Sequence, residues 1–197
     1  MPKVLAGITT SVDGYIAGPN DVAGRGLGDG GERLHYWVFG GPWTYENEPI
    51  GEPTGEDAEW LNEAIKGIGA VVGGRTTYES SGRWGGKNPW GLPFFIVTHR
   101  PEEQPEGDAF TFVSGVPEAI ELAQAAAGDK NVHVMGGADV IRQALEAGLV
   151  DELTIIVAPF TLGGGKRLFE GFTKSLDLEH AGVRQSQYAT FIDYRVR

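Results

Sequence analysis

The stretch Val132–Leu145 constrains the fold of this chain more than any other. A short apolar run, Val132-His133-Val134-Met135, meets Gly136 and Gly137, and helical spacing begins at once. Val140, Ile141, Ala144 and Leu145 then fall on one face, at the i, i+1, i+4 and i+5 positions. A buried strand running straight into a helix leaves the first helical N–H groups unpaired above the strand end. Glycines there let a ligand's phosphates approach the backbone, and the helix dipole favours their negative charge. The pair lacks the G-x-G-x-x-G pattern, so on its own it reads as a tight turn.

The same switch from strand to helix recurs along the chain. Lys3 to Thr9 reads as a first buried strand, followed by a turn-rich loop from Ser11 to Asp21. Five glycines between Gly24 and Gly31 predict a mobile segment. Glu32 to Phe39 predicts a short helix with Leu34, Trp37 and Val38 on its apolar face. Gly40 to Gly55 has no periodicity and carries Glu46, Glu48 and Glu52, a surface loop. Thr54, with Asp57 three residues on, predicts a capping box that opens a helix to about Lys66. Its apolar face holds Trp60, Leu61, Ala64 and Ile65.

A strand at Ala70-Val71-Val72 runs through Gly73-Gly74 into a second helix start at Arg75-Thr76-Thr77-Tyr78-Glu79-Ser80. Phe94 to Val97 predicts a strand that ends in Thr98-His99-Arg100 and is stopped by Pro101. Phe110 to Val113 is another short strand, and Pro117 suits the first residue of a helix running to Ala127. Asp151 to Pro159 is strongly β-branched. Leu176–Val183 and the alternating Tyr188–Val196 predict an antiparallel pair at the sheet edge. Together these elements predict an α/β fold, a mostly parallel sheet with an antiparallel C-terminal hairpin and helices on both faces.

At 197 residues the chain is long enough for one domain with a proper core, spanning residues 1–197. It contains no Cys, which removes disulfides, thiolate metal sites and a Cys nucleophile. Its four histidines show no metal-ligand spacing, so no metal is expected. Neither a signal sequence nor a run of membrane-spanning length is visible, and a cytoplasmic location is expected. A formal net charge of −11 argues against a nucleic-acid or anionic-membrane surface. An anionic cofactor would have to be held by a few local cations and helix ends.

Those groups sit at three strand ends: Gly73-Gly74-Arg75-Thr76-Thr77, Thr98-His99-Arg100 and Gly136-Gly137-Ala138. In open α/β sheets ligands bind outside the carboxyl ends of the strands. A diphosphate could rest on the glycine turns, and a further phosphate between guanidinium and hydroxyl groups. No acid stands in either the Arg75 or the Arg100 segment, which favours a cofactor with a 2′-phosphate, NADPH, over NADH.

With these segments in order, the chain resembles the dihydrofolate reductase superfamily, nearest its branch with the reductase domain of bacterial riboflavin biosynthesis. Ser11-Val12-Asp13-Gly14-Tyr15-Ile16-Ala17-Gly18 resembles the end of the family's first strand and its active-site loop. Gly74-Arg75-Thr76-Thr77-Tyr78-Glu79-Ser80 matches the family's Gly-Arg-x-Thr-x-Glu-Ser, and Met135-Gly136-Gly137-Ala138 its pyrophosphate turn. Asp151-Glu152-Leu153 and Leu162–Phe169 look like the riboflavin-reductase branch. The resemblance implies that Thr9 and Ile16 meet the nicotinamide carboxamide and that Arg75 and Thr77 hold cofactor phosphates. It implies further that Thr98, His99 and Arg100 take the 2′-phosphate and adenine.

The resemblance also implies hydride transfer from NADPH to a planar nitrogen heterocycle or a ribityl-aminopyrimidine- or pterin-like compound, in a homodimer. Dihydrofolate reductases carry a carboxylate on the first helix; Glu32 is the candidate here, and a solvated residue at a helix start is its other reading. Asp13, Glu32 or an ordered water could supply the proton that accompanies hydride. Asp13 could equally be one half of an Asp-Gly turn. His133 reads as a core histidine, and Trp37, Trp43, Trp84 and Trp90 as core or pocket walls. Two alternatives stay open: a nucleotide-binding protein of this fold without turnover, and a true dihydrofolate reductase.

Overall fold

Alternation of short apolar runs with amphipathic segments produces, in chain order, β1 (Val4–Ser11), β2 (Tyr15–Ala17), α1 (Gly55–Lys66), β3 (Ile68–Gly74), α2 (Arg75–Ser80), β4 (Phe94–Val97), β5 (Thr111–Val113), α3 (Val116–Ala127), β6 (Asn131–Val134), α4 (Ala138–Glu146), β7 (Glu152–Ala158), β8 (Lys166–Arg167), β9 (Leu178–Gln185) and β10 (Thr190–Val196). This is a computed structural model, and it describes residues 2–47, 50–107 and 109–197. Eight strands form one sheet in the order β5-β4-β3-β6-β1-β7-β10-β9. From β5 to β7 all neighbours are parallel; β10 runs antiparallel to β7, and β9 antiparallel to β10.

Every residue of β3 is buried, as expected of a parallel strand covered on both faces. On one face Ile120, Ala123, Ile141 and Leu145 of α3 and α4 pack on Val4, Ala6, Val72, Val132 and Val134. On the other, Trp60 and Leu61 of α1 pack with Trp37, Ile156 and Phe191. A further cluster joins Ile68, Val71, Tyr78, Phe94, Ile96, Phe110 and Phe112, and each fully buried Val, Leu, Ile or Phe contributes about 1.5–3 kcal/mol.

Several expectations need correction. Glu32–Phe39 is not an α-helix: a 3-10 turn covers Gly31–His35 and irregular turns follow. Tertiary contacts replace helical ones there, because Leu34 packs with Ala158 and Phe160 while Trp37 bonds to Thr9. Thr54 does precede α1, but its side chain caps nothing; Asp57 is buried instead with one carboxylate oxygen unpartnered. The β-branched strand β7 is interior, between β1 and β10, and the edge strands are β5 and β9. The acidic loop keeps its irregular form at Glu46 and Glu52, while Glu48 lies outside the described residues.

The largest departure concerns the loop after β1. Residues 15–17 and 166–167 pair as a second, two-stranded sheet, β2 with β8. Gly18 N–H donates to Leu27 O, Asp29 N–H to Pro19 O and Gly24 N–H to Ser80 O, so the glycine-rich segment is tied down. At Gly165, with φ +119°, a Cβ would lie 2.0 Å from Ala17 O; only glycine lets β8 come this close.

Candidate active site

The carboxyl ends of β4, β3 and β6 lie side by side in the sheet, and β1 is the next strand over. Above them opens a cleft of ≈ 1440 Å³. Thr9, Ile16, Gly74, Arg75, Thr76, Thr77, Thr98, His99, Arg100, Gly136, Gly137 and Ala138 all line it. The structure therefore brings together every residue expected to bind a cofactor. Parallel strand order does this: residues remote in sequence share one edge because β3, β4 and β6 all point the same way.

The floor is built from close backbone approaches. Gly74 N–H donates to Gly136 O at 2.9 Å, joining the two glycine turns. Gly136 has φ +108°, which disfavours any side chain there. A Cβ on Gly74 would meet Val140 Cγ2 at 3.0 Å, and one on Gly137 would meet Thr77 Oγ1 at 3.2 Å. Absent side chains thus leave a shallow cradle at the start of α4, where the helix N-terminus favours an anion.

Beside the cradle stands a charged network that sequence reasoning missed. Arg75 Nε donates to Glu79 at 2.8 Å and its Nη2 to Glu103 at 2.9 Å, while the guanidinium lies over the Phe112 ring at 5.0 Å. Arg100 Nη1 donates to the other oxygen of Glu103 at 2.9 Å. The expectation that no acid accompanies these cations is therefore corrected by Glu79 and Glu103. Glu79 stands four residues beyond Arg75, a helical contact spacing visible in the sequence. Glu103 reaches Arg75 only through the fold. Burial works against the Arg75 charge, but the two carboxylates outweigh it and raise its pKa. Arg75 Nη1 stays buried without a partner.

The opposite half of the cleft is aromatic. Trp37, Phe39, Trp43, Tyr45 and Trp60 line it. Their rings meet edge to face, Phe39 on Trp43 at 5.0 Å and Trp37 on Trp60 at 5.4 Å. His35 joins this wall, and burial lowers its pKa to about 4. It is neutral at pH 7, with one donor and one acceptor nitrogen. His133 also lines the cleft rather than closing into the core, and its pKa is lowered to about 4 by burial, against a hydrogen bond to the Leu5 backbone. Trp84 and Trp90 are wall residues as expected.

The two carboxylates expected to be catalytic are not at the cleft. Asp13 accepts from Ser11 Oγ at 2.5 Å, Leu162 N–H at 3.0 Å and Gly163 N–H at 2.8 Å. These bonds, that of Ser11 foremost, lower its pKa to about 2. Such a carboxylate is a clamp between two segments and a poor proton donor. Glu32, on the 3-10 turn, is absent from the lining.

Comparisons with known proteins agree with this architecture. The sequence model described as the RibD C-terminal domain matches residues 2–190. The uncharacterized protein YwjB of Bacillus subtilis (strain 168) is 24% identical over 146 residues, covering 74% of this chain and 83% of YwjB. A crystal structure of a Shewanella sp. PV-4 protein named for riboflavin biosynthesis superposes with a TM-score of 0.71 at 24% identity, covering 99% of each chain. That likeness bears on the fold. No helix among the described residues is long and apolar enough to cross a membrane.

Proposed function

Since the chain belongs to the RibD C-terminal domain family, a family of reductase domains, we propose that it is an NADPH-dependent reductase of a small planar heterocycle, of the aminopyrimidine or pterin kind. The observation that carries this reading is the convergence of all twelve expected cofactor residues on one cleft whose far wall is aromatic. The cleft fits the cofactor on its own evidence, through the Gly74–Gly136–Gly137 cradle and the buried, unpartnered Nη1 of Arg75.

In this reading Gly136, Gly137, Ala138 and Gly74 receive the diphosphate. Arg75, Thr76, Thr77, Thr98, His99 and Arg100 surround the adenosine end, and Thr9 and Ile16 the nicotinamide end. NADPH, when bound, supplies hydride equivalents to a polarised C=N or C=O bond, while the acceptor nitrogen or oxygen takes one proton. The protein's share is to align donor and acceptor and to exclude water. Phe39, half-buried beside the buried Trp37 and Trp43, stacks on a flat ring, and neutral His35 offers it one hydrogen bond. With Asp13 committed to Leu162 and Gly163, and Glu32 off the cleft, we assign the proton to an ordered water.

Folate is disfavoured as acceptor, because Glu32, the candidate for the carboxylate that dihydrofolate reductases carry, is absent from the lining, and Asp21, an acid that does line the cleft, is paired with Lys166. The test is loss of reduced-nicotinamide absorbance with a panel of aminopyrimidines, pterins and dihydrofolate. Turnover of an aminopyrimidine or pterin is expected, with dihydrofolate slow. Turnover on dihydrofolate at or above about 10 s⁻¹ would overturn the substrate assignment. Tight NADPH binding without oxidation by any member would favour a nucleotide-binding protein.

A further inference from the structure

We propose that Glu103 limits the NADPH preference of this site, by bridging Arg75 and Arg100 at the position that a ribose 2′-phosphate would take. The inference rests on the NADPH reading above and deepens it. One oxygen of Glu103 accepts from Arg75 Nη2 and the other from Arg100 Nη1, each at 2.9 Å, so one carboxylate bridges the cations of two strand ends. Both arginines line the cleft where the adenosine end of a dinucleotide would lie.

The two acids on Arg75 differ in kind. Glu79 lies on the same helix, one turn along, and is held from its other side by Arg83 at 3.0 Å; it orients Arg75 and stays put. Glu103 ends a three-residue 3-10 turn, Pro101–Glu103, with its side chain 40% exposed. It is anchored by nothing except the two arginines among the described contacts. An internal anion of this sort does two things. Together with Glu79 it compensates the largely buried Arg75 guanidinium, and it competes with any external anion for the same donors.

A phosphate carries more charge and more acceptor oxygens than a carboxylate, so it displaces Glu103 and then bonds to both cations. The competition costs NADPH part of its advantage. NADH, with only a 2′-hydroxyl at this point, has no reason to displace the acid and meets an acceptor for that hydroxyl. Glu103 therefore narrows the gap between the two cofactors that Arg75 and Arg100 open.

The experiment is fluorescence titration of NADPH and NADH against the intact protein and against Glu103→Gln and Arg75→Ala. Glu103→Gln keeps the size of the side chain and removes its charge. It is expected to tighten NADPH by about tenfold, the worth of one charge-assisted contact, with NADH unchanged or weaker. Arg75→Ala should weaken NADPH far more than NADH. If the unmodified protein prefers NADPH and Glu103→Gln leaves the NADPH-to-NADH ratio unchanged, or lowers it, the role of Glu103 is overturned while the cofactor reading stands. If the unmodified protein binds neither nucleotide, both fall. Matching thermal melts of the three proteins keep a folding defect from imitating either result.

Discussion

The indole Nε1 of Trp37 donates to Oγ1 of Thr9 at 3.0 Å, and both residues are buried. That bond ties the segment replacing the expected first helix to the carboxyl end of β1, where the cleft begins. Trp37→Phe keeps the ring in its aromatic cluster but leaves the Thr9 hydroxyl without its donor. A net loss of about 0.5–1.5 kcal/mol in urea unfolding is expected, more than Trp37→Phe costs in a Thr9→Val background. Equal costs in both backgrounds would mean that the bond contributes nothing.

Asp13 is an acid-sensitive clamp between the loop after β1 and the Leu162–Gly163 segment. Its folded pKa of about 2 lies below its ordinary 3.8, so its contribution is complete above pH 3.8 and is lost as pH falls toward 2. Asp13→Asn should lower the melting temperature by a few degrees at neutral pH. It should also flatten the fall in stability between pH 4 and about 2. A melting curve that keeps the same acid slope in the variant would exclude the clamp.

Two histidines act in a different window. The rings of His35 and His133 have pKa values lowered from 6.5 to about 4, by burial in both cases. As pH falls below 6.5 the unfolded chain takes up the protons first, so stability drops between pH 6.5 and 4 and levels off below. Both residues retain some exposure, so each contributes about 1–3 kcal/mol to that drop, less than the full shift implies. His133→Gln should remove roughly half of the slope, measured by urea unfolding at stepped pH; an undiminished slope would place the titration elsewhere.

We propose that the protein is a homodimer. The outer strand β9 presents an unpaired edge, with Val183 64% and Leu178 39% exposed. Such edges are covered or charged in stable monomers. Light scattering at micromolar concentration should give twice the chain mass, and Val183→Lys should shift the equilibrium toward monomer. A monomeric unmodified protein ends this proposal.

Much of the fold was legible because its signals are local. The apolar run through Val72 and the switch at Gly136-Gly137 each carry their own period and punctuation, and β3, β6 and α4 follow from them. The cofactor side of the cleft was legible for the same reason, since each strand end holds its residues contiguously. What escaped notice was non-local. Glu103 meets Arg75 across 28 positions, and Asp13 meets Gly163 across 150. Neither segment has a pattern of its own that names its partner. Glu32–Phe39 misled because a spacing fit for a helix was overridden by Leu34 packing on Ala158 and by Trp37 reaching Thr9.

The pairing of β2 with β8, fastened by Asp13, has a consequence for anyone recombining members of this family. Loop swaps usually treat the segment after the first strand as a module that can be exchanged alone. Here Tyr15 is matched to Arg167, Ala17 to Lys166, and the crossing is passable only because position 165 has no side chain. A graft of residues 11–31 from a relative would arrive without its counterpart, and its strand would have nothing cut to its shape. The exchangeable unit is discontinuous, 11–31 together with 161–168, and a chimera library built on that unit should yield folded proteins where the single-loop library does not.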